Sequence, residues 1–204
     1  VYKRQDLSLY QKSFEKGFEL FYGDIKDYAI IALLPSYRRE HSSLVYMVNE
    51  WIKKTNHPLS GFYFDEWDQL KYTLEDLESK NQKTILLGVI FALLEAIEKN
   101  DWNLNNTIIM ETGGMKGMRK EWIRSALHRC LKEGFGVKSI HAEYGMTELL
   151  SQAYSYADGI FYCPPWMKVS TRDPEDPFEI QSFGIERLNV RADSSTAGGS
   201  VADT

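Results

Sequence analysis

Cysteine is scarce in this chain. Its 204 residues hold two, Cys130 and Cys163, and neither stands in a C-x-x-C pair. That spacing argues against a zinc knuckle or a thioredoxin-type redox motif, and unpaired cysteines suit a reducing compartment. Long apolar runs are missing too. The longest, over 85–94, is about ten residues, half of the roughly 20 that a membrane-spanning helix requires. The first residues are polar and mixed in charge, so no signal peptide is expected, and the cytoplasm is the expected compartment. Basic charge is in deficit, with 24 Lys and Arg against 29 Asp and Glu and a net charge of −5. A dedicated nucleic-acid binder would carry a basic stripe instead. No repeat period and no long heptad run is present.

What the chain does have is apolar content, 43% of its residues, enough to bury one sizeable core. Short, nearly continuous apolar runs over 28–34, 84–89 and 107–111 read as strands buried on both faces. Further strands are expected over 61–64, 138–143, 159–163 and 167–170. Between them, apolar residues recur at three and four, which predicts helices over 6–22, 42–54, 65–79, 91–98, 118–133 and 149–156. Buried strands alternating with amphipathic helices imply an α/β fold with a mostly parallel sheet flanked by helices. Ligands in such sheets bind beyond the carboxyl ends of the strands. That directs attention to the loops 35–41, 112–118 and 144–148.

The two ends read differently from the middle. Residues 1–5, Val-Tyr-Lys-Arg-Gln, look like the translation of a transposase end sequence, a scar of sequencing or cloning. The composition shifts near Gln181, and the run 191–204 is Ser, Ala, Gly and Asp with few apolar residues. Such a stretch buries too little apolar surface to offset its ordering entropy, so 181–204 is expected to be a disordered or non-native tail. The native-looking α/β segment is then 6–180.

Two constellations carry chemistry. The first is Glu111-Thr112-Gly113-Gly114-Met115-Lys116-Gly117, after a strand and before a helix. Its glycines allow close approach of backbone N–H groups to a ligand, and a helix N-terminus beyond them favours anions. It matches neither the P-loop nor the dinucleotide fingerprint, and a tight turn needing positive φ is the competing reading. The second is Tyr144-Gly145-Met146-Thr147-Glu148, preceded by His141-Ala142-Glu143. Tyr144 can stack on a base, Gly145 allows close approach, and the Thr147 hydroxyl can donate to a phosphate. The Glu148 carboxylate suits Mg²⁺, a hard cation that takes oxygen ligands. The competing reading is a turn in which Thr147 caps a helix.

Tyr144-Gly145-Met146-Thr147-Glu148 resembles the Y-G-x-T-E motif of the adenylate-forming superfamily: acyl-CoA synthetases, luciferases and peptide-synthetase adenylation domains. The stretches Glu111-Thr112-Gly113-Gly114 and 141–152 narrow the likeness to the acyl-protein synthetase family, the long-chain-fatty-acid–luciferin-component ligases of bioluminescence, and its bacterial relatives. Leu34-Pro35-Ser36-Tyr37 and Cys163-Pro164-Pro165-Trp166-Met167 suit those relatives too. The resemblance implies a large amino-terminal α/β domain followed by a small mobile lid. The implied chemistry joins a carboxylic, typically fatty, acid to ATP and passes the acyl group to a thiol of coenzyme A, a carrier protein or a reductase. It places Gly113 and Gly114 along the adenine, with Gly145 and Met146 beside it. It puts Tyr144 on the adenine face, Thr147 at the α-phosphate and Glu148 on Mg²⁺, the last two as the catalytic pair.

The family's Ser/Thr/Gly-rich phosphate loop has no match here, and its ribose-binding aspartate, hinge and lid lysine find no place in 181–204. The chain is therefore expected to be an incomplete fragment, inactive alone. A non-catalytic nucleotide-binding module and a sugar-nucleotide-binding α/β domain are the alternative readings. Cys163 is a lesser candidate as an acyl-accepting thiol, against a buried structural cysteine in its apolar setting. Cys130, inside a helix, is weaker still. His41 could face an acyl pocket, although a solvated loop histidine is the blander reading. Asp173, Glu175 and Asp176 read as a solvated turn.

Overall fold

In the computed structural model the chain is described over residues 7–35, 42–113, 123–146, 149–172, 180–181 and 187–192. Five segments become helices: α1 Leu7–Tyr22, α2 Ser43–Thr55, α3 Trp67–Ser79, α4 Ile90–Lys99 and α5 Arg124–Phe135. The strands of the main sheet are β1 Ala29–Leu33, β2 Gly61–Phe62, β3 Thr84–Val89, β4 Thr107–Thr112, β5 Ile140–Tyr144, β6 Ala153–Ser155 and β7 Phe161–Tyr162. Their order across the sheet is β2-β1-β3-β4-β5-β6-β7. The first five are parallel, and β6 and β7 add antiparallel to them. The α/β reading with a mostly parallel sheet flanked by helices therefore holds.

Every residue of β1 and β3 is buried. This is why both read as unbroken apolar runs: a parallel central strand has helices on both faces and no solvent side to mark with polar residues. α1 turns Tyr10, Phe14 and Phe18 into the core, and Phe14 and Phe18 meet Trp51 of α2 with ring centroids 6.3 and 5.0 Å apart. Ser42 caps α2 by accepting a hydrogen bond from the Val45 N–H, a contact typically contributing about 1 kcal/mol. α5 ends at Gly136, which adopts the left-handed φ of 71° that favours glycine there.

Three expectations are corrected. The helix expected over 149–156 is instead a loop followed by β6. Leu149, Leu150, Ala153 and Tyr154 have helical spacing, yet all three residues of β6 are buried and pair antiparallel with β5, so the free edge of β5 decides the outcome. The helix expected from 118 is found as α5 from Arg124, because Ile123 has extended backbone; residues 118–122 lie outside the described residues. Third, β8 Met167–Arg172 forms a small antiparallel sheet with β9 Ile180–Gln181 and β10 Arg187–Ala192. Strand β10 falls inside the stretch expected to lack order; its alternation of apolar Leu188, Val190 and Ala192 with polar residues suits a strand, and it pairs with β8 over six residues.

Gly134 lies inside α5 and not at its end. A Cβ there would sit 2.7 to 2.8 Å from three side-chain carbons of Ile97 on α4, so the glycine permits the close approach of the two helices. Gly134→Ala should therefore destabilise the fold by about 1–3 kcal/mol, the usual cost of overpacking, against a gain of about 1 kcal/mol in helix propensity. Urea denaturation of the two proteins reads the sign directly.

Candidate functional site

The parallel register of β4 and β5 sets Thr112 opposite Glu143. The chain therefore leaves both strands at the same sheet edge, first through Gly113 and then through Tyr144, Gly145 and Met146. Gly113 takes a φ of 70°, and among the described residues nothing lies within 4 Å of where its Cβ would be. Both the strained backbone and the open space suit glycine. Gly145 and Met146 are exposed and Tyr144 is half-buried. Of the residues singled out by the two motifs, these four are brought to one edge. Gly114, Met115, Lys116, Gly117, Thr147 and Glu148 lie outside the described residues, as do His41, Asp173, Glu175 and Asp176.

Side chains alternate along a strand, so the two sheet faces handle this edge differently. On one face, Glu111 of β4 is buried against α5. Its Oε1 lies 3.2 Å from Arg124 Nη1 and 3.6 Å from His128 Nε2. Both distances suit ion pairing, although neither contact has hydrogen-bond geometry. The Arg124 guanidinium also stands 5.4 Å from the centre of the Phe161 ring on β7. Another neighbour of Phe161 is Tyr144, whose ring meets it at 6.0 Å, edge to face. Arg124 thus links the first turn of α5 to Glu111 before the glycine turn and, through Phe161, to Tyr144. Leu149, Ala153 and Met167 form a small second core against Tyr144 and Phe161, and Trp166 donates its Nε1–H to Ser151 Oγ at 3.0 Å. Residues 149–152, which lead into β6, are therefore held by their own packing.

On the other face, Thr112, Glu143 and Tyr154 stand side by side across β4, β5 and β6, covered by α1. Thr112 Oγ1 donates to Glu143 Oε2 at 2.5 Å. Burial pushes the Glu143 carboxyl up to about 7, with Glu111 adding to the rise and the Thr112 hydrogen bond opposing it. His141, two residues earlier on the same face, shares a hydrogen bond of 3.1 Å with the Tyr22 hydroxyl. Its burial lowers the imidazole to about 4, so it is neutral at physiological pH. Tyr154 is buried with its hydroxyl unpaired among the described residues, and burial also raises its ionisation. Sequence reasoning assigned no role to Glu143, though a glutamate alternating inward on a buried strand is a readable cue.

Among the described residues no three His, Cys, Asp or Glu side chains are placed to hold a metal ion. None of the described helices is long and apolar enough to cross a membrane. Cys163 is exposed, not buried as its apolar setting suggests, and partial burial raises its thiol. Less of it is then the thiolate that would accept an acyl group. Cys130 packs against the main core. No protein-family model and no curated protein matches this chain.

The two titrations have opposite signs. Glu143 binds its proton more tightly in the folded state, so its contribution is intact below about 4.5 and is lost as pH rises through about 7. His141 binds its proton less tightly when folded, so its contribution is present above 6.5 and is lost as pH falls through about 4. In the native protein the two slopes partly cancel. Glu143→Gln should remove one slope and leave stability rising with pH between 4.5 and 6.5. Relative to the native protein it should gain up to about 3 kcal/mol at pH 7.5, from roughly 1.4 kcal/mol per unit of pKa. Urea titrations at pH 4.5, 5.5, 6.5 and 7.5 measure both effects, and parallel curves for the two proteins would contradict them.

Proposed function

We propose that this chain is part of the large domain of an ATP-dependent acyl-activating ligase, which joins a carboxylic acid, with a fatty acid the expected substrate, to AMP and passes the acyl group to a thiol. The observation that carries the reading is the juxtaposition of Gly113 with Tyr144, Gly145 and Met146 at the carboxyl ends of two adjacent parallel strands. These are the positions at which the resemblance puts the adenine. Among the described residues the geometry suits a flat ring: open space over Gly113, an exposed glycine after β5, and an aromatic side chain held from one side by Phe161.

In this reading Tyr144 stacks on the adenine, and Gly113 and Gly114 let it approach the backbone. Thr147 donates to the α-phosphate. Glu148 supplies a hard oxygen donor of the kind Mg²⁺ takes when it keeps most of its shell as water and phosphate oxygens. When bound, that ion would neutralise phosphate charge. The acceptor is a thiol of coenzyme A, a carrier protein or a reductase, and the expected compartment is the cytoplasm.

The test is nucleotide binding by the chain, measured by calorimetry with ATP, AMP and a uridine-diphosphate sugar. ATP and AMP should bind in preference to the sugar nucleotide. Tyr144→Ala should weaken both by roughly 5- to 150-fold, the 1–3 kcal/mol range of base–aromatic stacking, while Tyr144→Phe keeps the native affinity. Glu148→Gln should remove the Mg²⁺-dependent part of ATP affinity and leave AMP unchanged. Preference for the sugar nucleotide, or an unchanged affinity in Tyr144→Ala, overturns the reading. Fatty-acid-dependent ATP–pyrophosphate exchange, run on a parent protein in which the phosphate loop and lid flank this segment, separates the ligase from a non-catalytic nucleotide-binding module, which would bind without exchange; the chain alone should show none.

A further inference from the structure

Glu143 is the buried group at this edge to which the acyl-activating reading gives no work. Its carboxylate touches both strand ends. Oε2 accepts the Thr112 hydrogen bond at 2.5 Å, and Thr112 is the last residue of β4. Oε1 occupies the space beside Gly145, where a Cβ would fall 2.7 Å from it. Gly145 is the first residue after β5. A single side chain therefore sets the distance between the turn that begins at Gly113 and the backbone that follows Tyr144.

The surroundings are apolar or neutral. From α1 the facing group is Tyr22, with Tyr10 further along beside Tyr154. From β6 it is Tyr154, and from β5 itself His141. Glu111 of β4, a carboxylate of the same sign, adds to the rise of the Glu143 carboxyl. Among the described residues no lysine or arginine pairs with Glu143. Tyr22 and Tyr154 stay neutral across the physiological range because burial raises them, and His141 is already neutral there.

We propose that Glu143 is a positioning residue of the strand-end site, a clasp that holds Thr112 and Gly145 together while its carboxyl is neutral and releases them when it ionises. The physical reason is the cost of an unpaired buried charge. Among the described residues an ionised Glu143 has no cation to meet and Glu111 opposes its charge, so it gains by swinging toward water, and in doing so it leaves the Thr112 hydroxyl and the space beside Gly145. A ligand that needs both strand ends in register then binds best on the acid side of neutrality. That consequence for binding rests on the nucleotide reading of the site; the clasp itself does not.

The experiment has two readouts on the same samples. Amide exchange by NMR at Gly113, Gly145 and Met146, corrected for intrinsic rate, follows the clasp without any ligand. Calorimetry with adenosine, which has no group titrating between pH 6 and 8, follows the site. The native protein should show faster corrected exchange at these amides at pH 8 than at pH 6, and adenosine affinity lower by about tenfold, within the usual range of coupling between linked equilibria. Glu143→Gln, a neutral isostere, should hold the pH 6 behaviour at both pH values. Thr112→Val should show the open behaviour at both, and Thr112→Ser should restore the native pH dependence. Thermal melts confirm that each variant is folded. The clasp is overturned if Glu143→Gln keeps the native pH dependence or Thr112→Val leaves exchange unaltered. If the exchange pattern appears as described but adenosine does not bind at either pH, the clasp stands and the nucleotide reading fails.

Discussion

The parallel pairing of β4 with β5 is the constraint on which the candidate site depends. Because the two strands run the same way, the chain leaves both at one edge. Because their register sets Thr112 opposite Glu143, the residues just beyond each strand become neighbours although some 30 positions separate them in sequence. Such an arrangement requires a crossover, here through α5, and α5 is held close to α4 by the missing side chain of Gly134. Packing between two helices on one face of the sheet thus helps fix which backbone atoms meet at its edge.

Two carboxylates sit beside this edge and are handled in opposite ways. Glu111 points toward α5, where Arg124 reaches it from a half-exposed position and His128 from a buried one. Its charge has partners. Glu143 points toward α1, where the available partners are hydroxyls and an uncharged imidazole, and the carboxyl is raised instead. Alternation along a strand separates the two side chains onto opposite faces. The electrostatic difference between them follows from which helix happens to cover each face.

Much of this was legible in the sequence, for identifiable reasons. β1, β3 and β4 announce themselves as short apolar runs because parallel strands covered on both sides need no polar face. The two motifs were legible because glycine, tyrosine and carboxylate at strand ends have few other uses. The rest depended on tertiary pairing. Residues 149–156 carry helical spacing, and only the unpaired edge of β5 makes β6 a strand. Arg187–Ala192 alternates polar with apolar residues but adjoins the Ser-, Ala- and Gly-rich run that follows it, and its backbone pairing with β8 makes it β10. Cys163 has apolar neighbours in sequence but lies on the surface, since β7 is an edge strand. Glu143 was visible as a glutamate on a buried strand. Its contact with Thr112 was not, because that requires the register of two strands.

The position of Tyr144 shows how the two faces act together. The backbone after it is bounded on the α1 side, where Glu143 Oε1 occupies the space that a Cβ on Gly145 would take. Its ring is fixed from the α5 side, where Phe161 stands between it and the Arg124 guanidinium. Holding the residue from both faces leaves it few rotamers, so ordering it on a ligand costs little entropy. The same bracing makes the site sensitive to changes away from it: a shift of α5 reaches Tyr144 through Arg124 and Phe161, and a shift of α1 reaches it through Glu143. An aromatic ring presented this way is pre-organised by the core of the fold, and the edge inherits its geometry from contacts that no ligand touches.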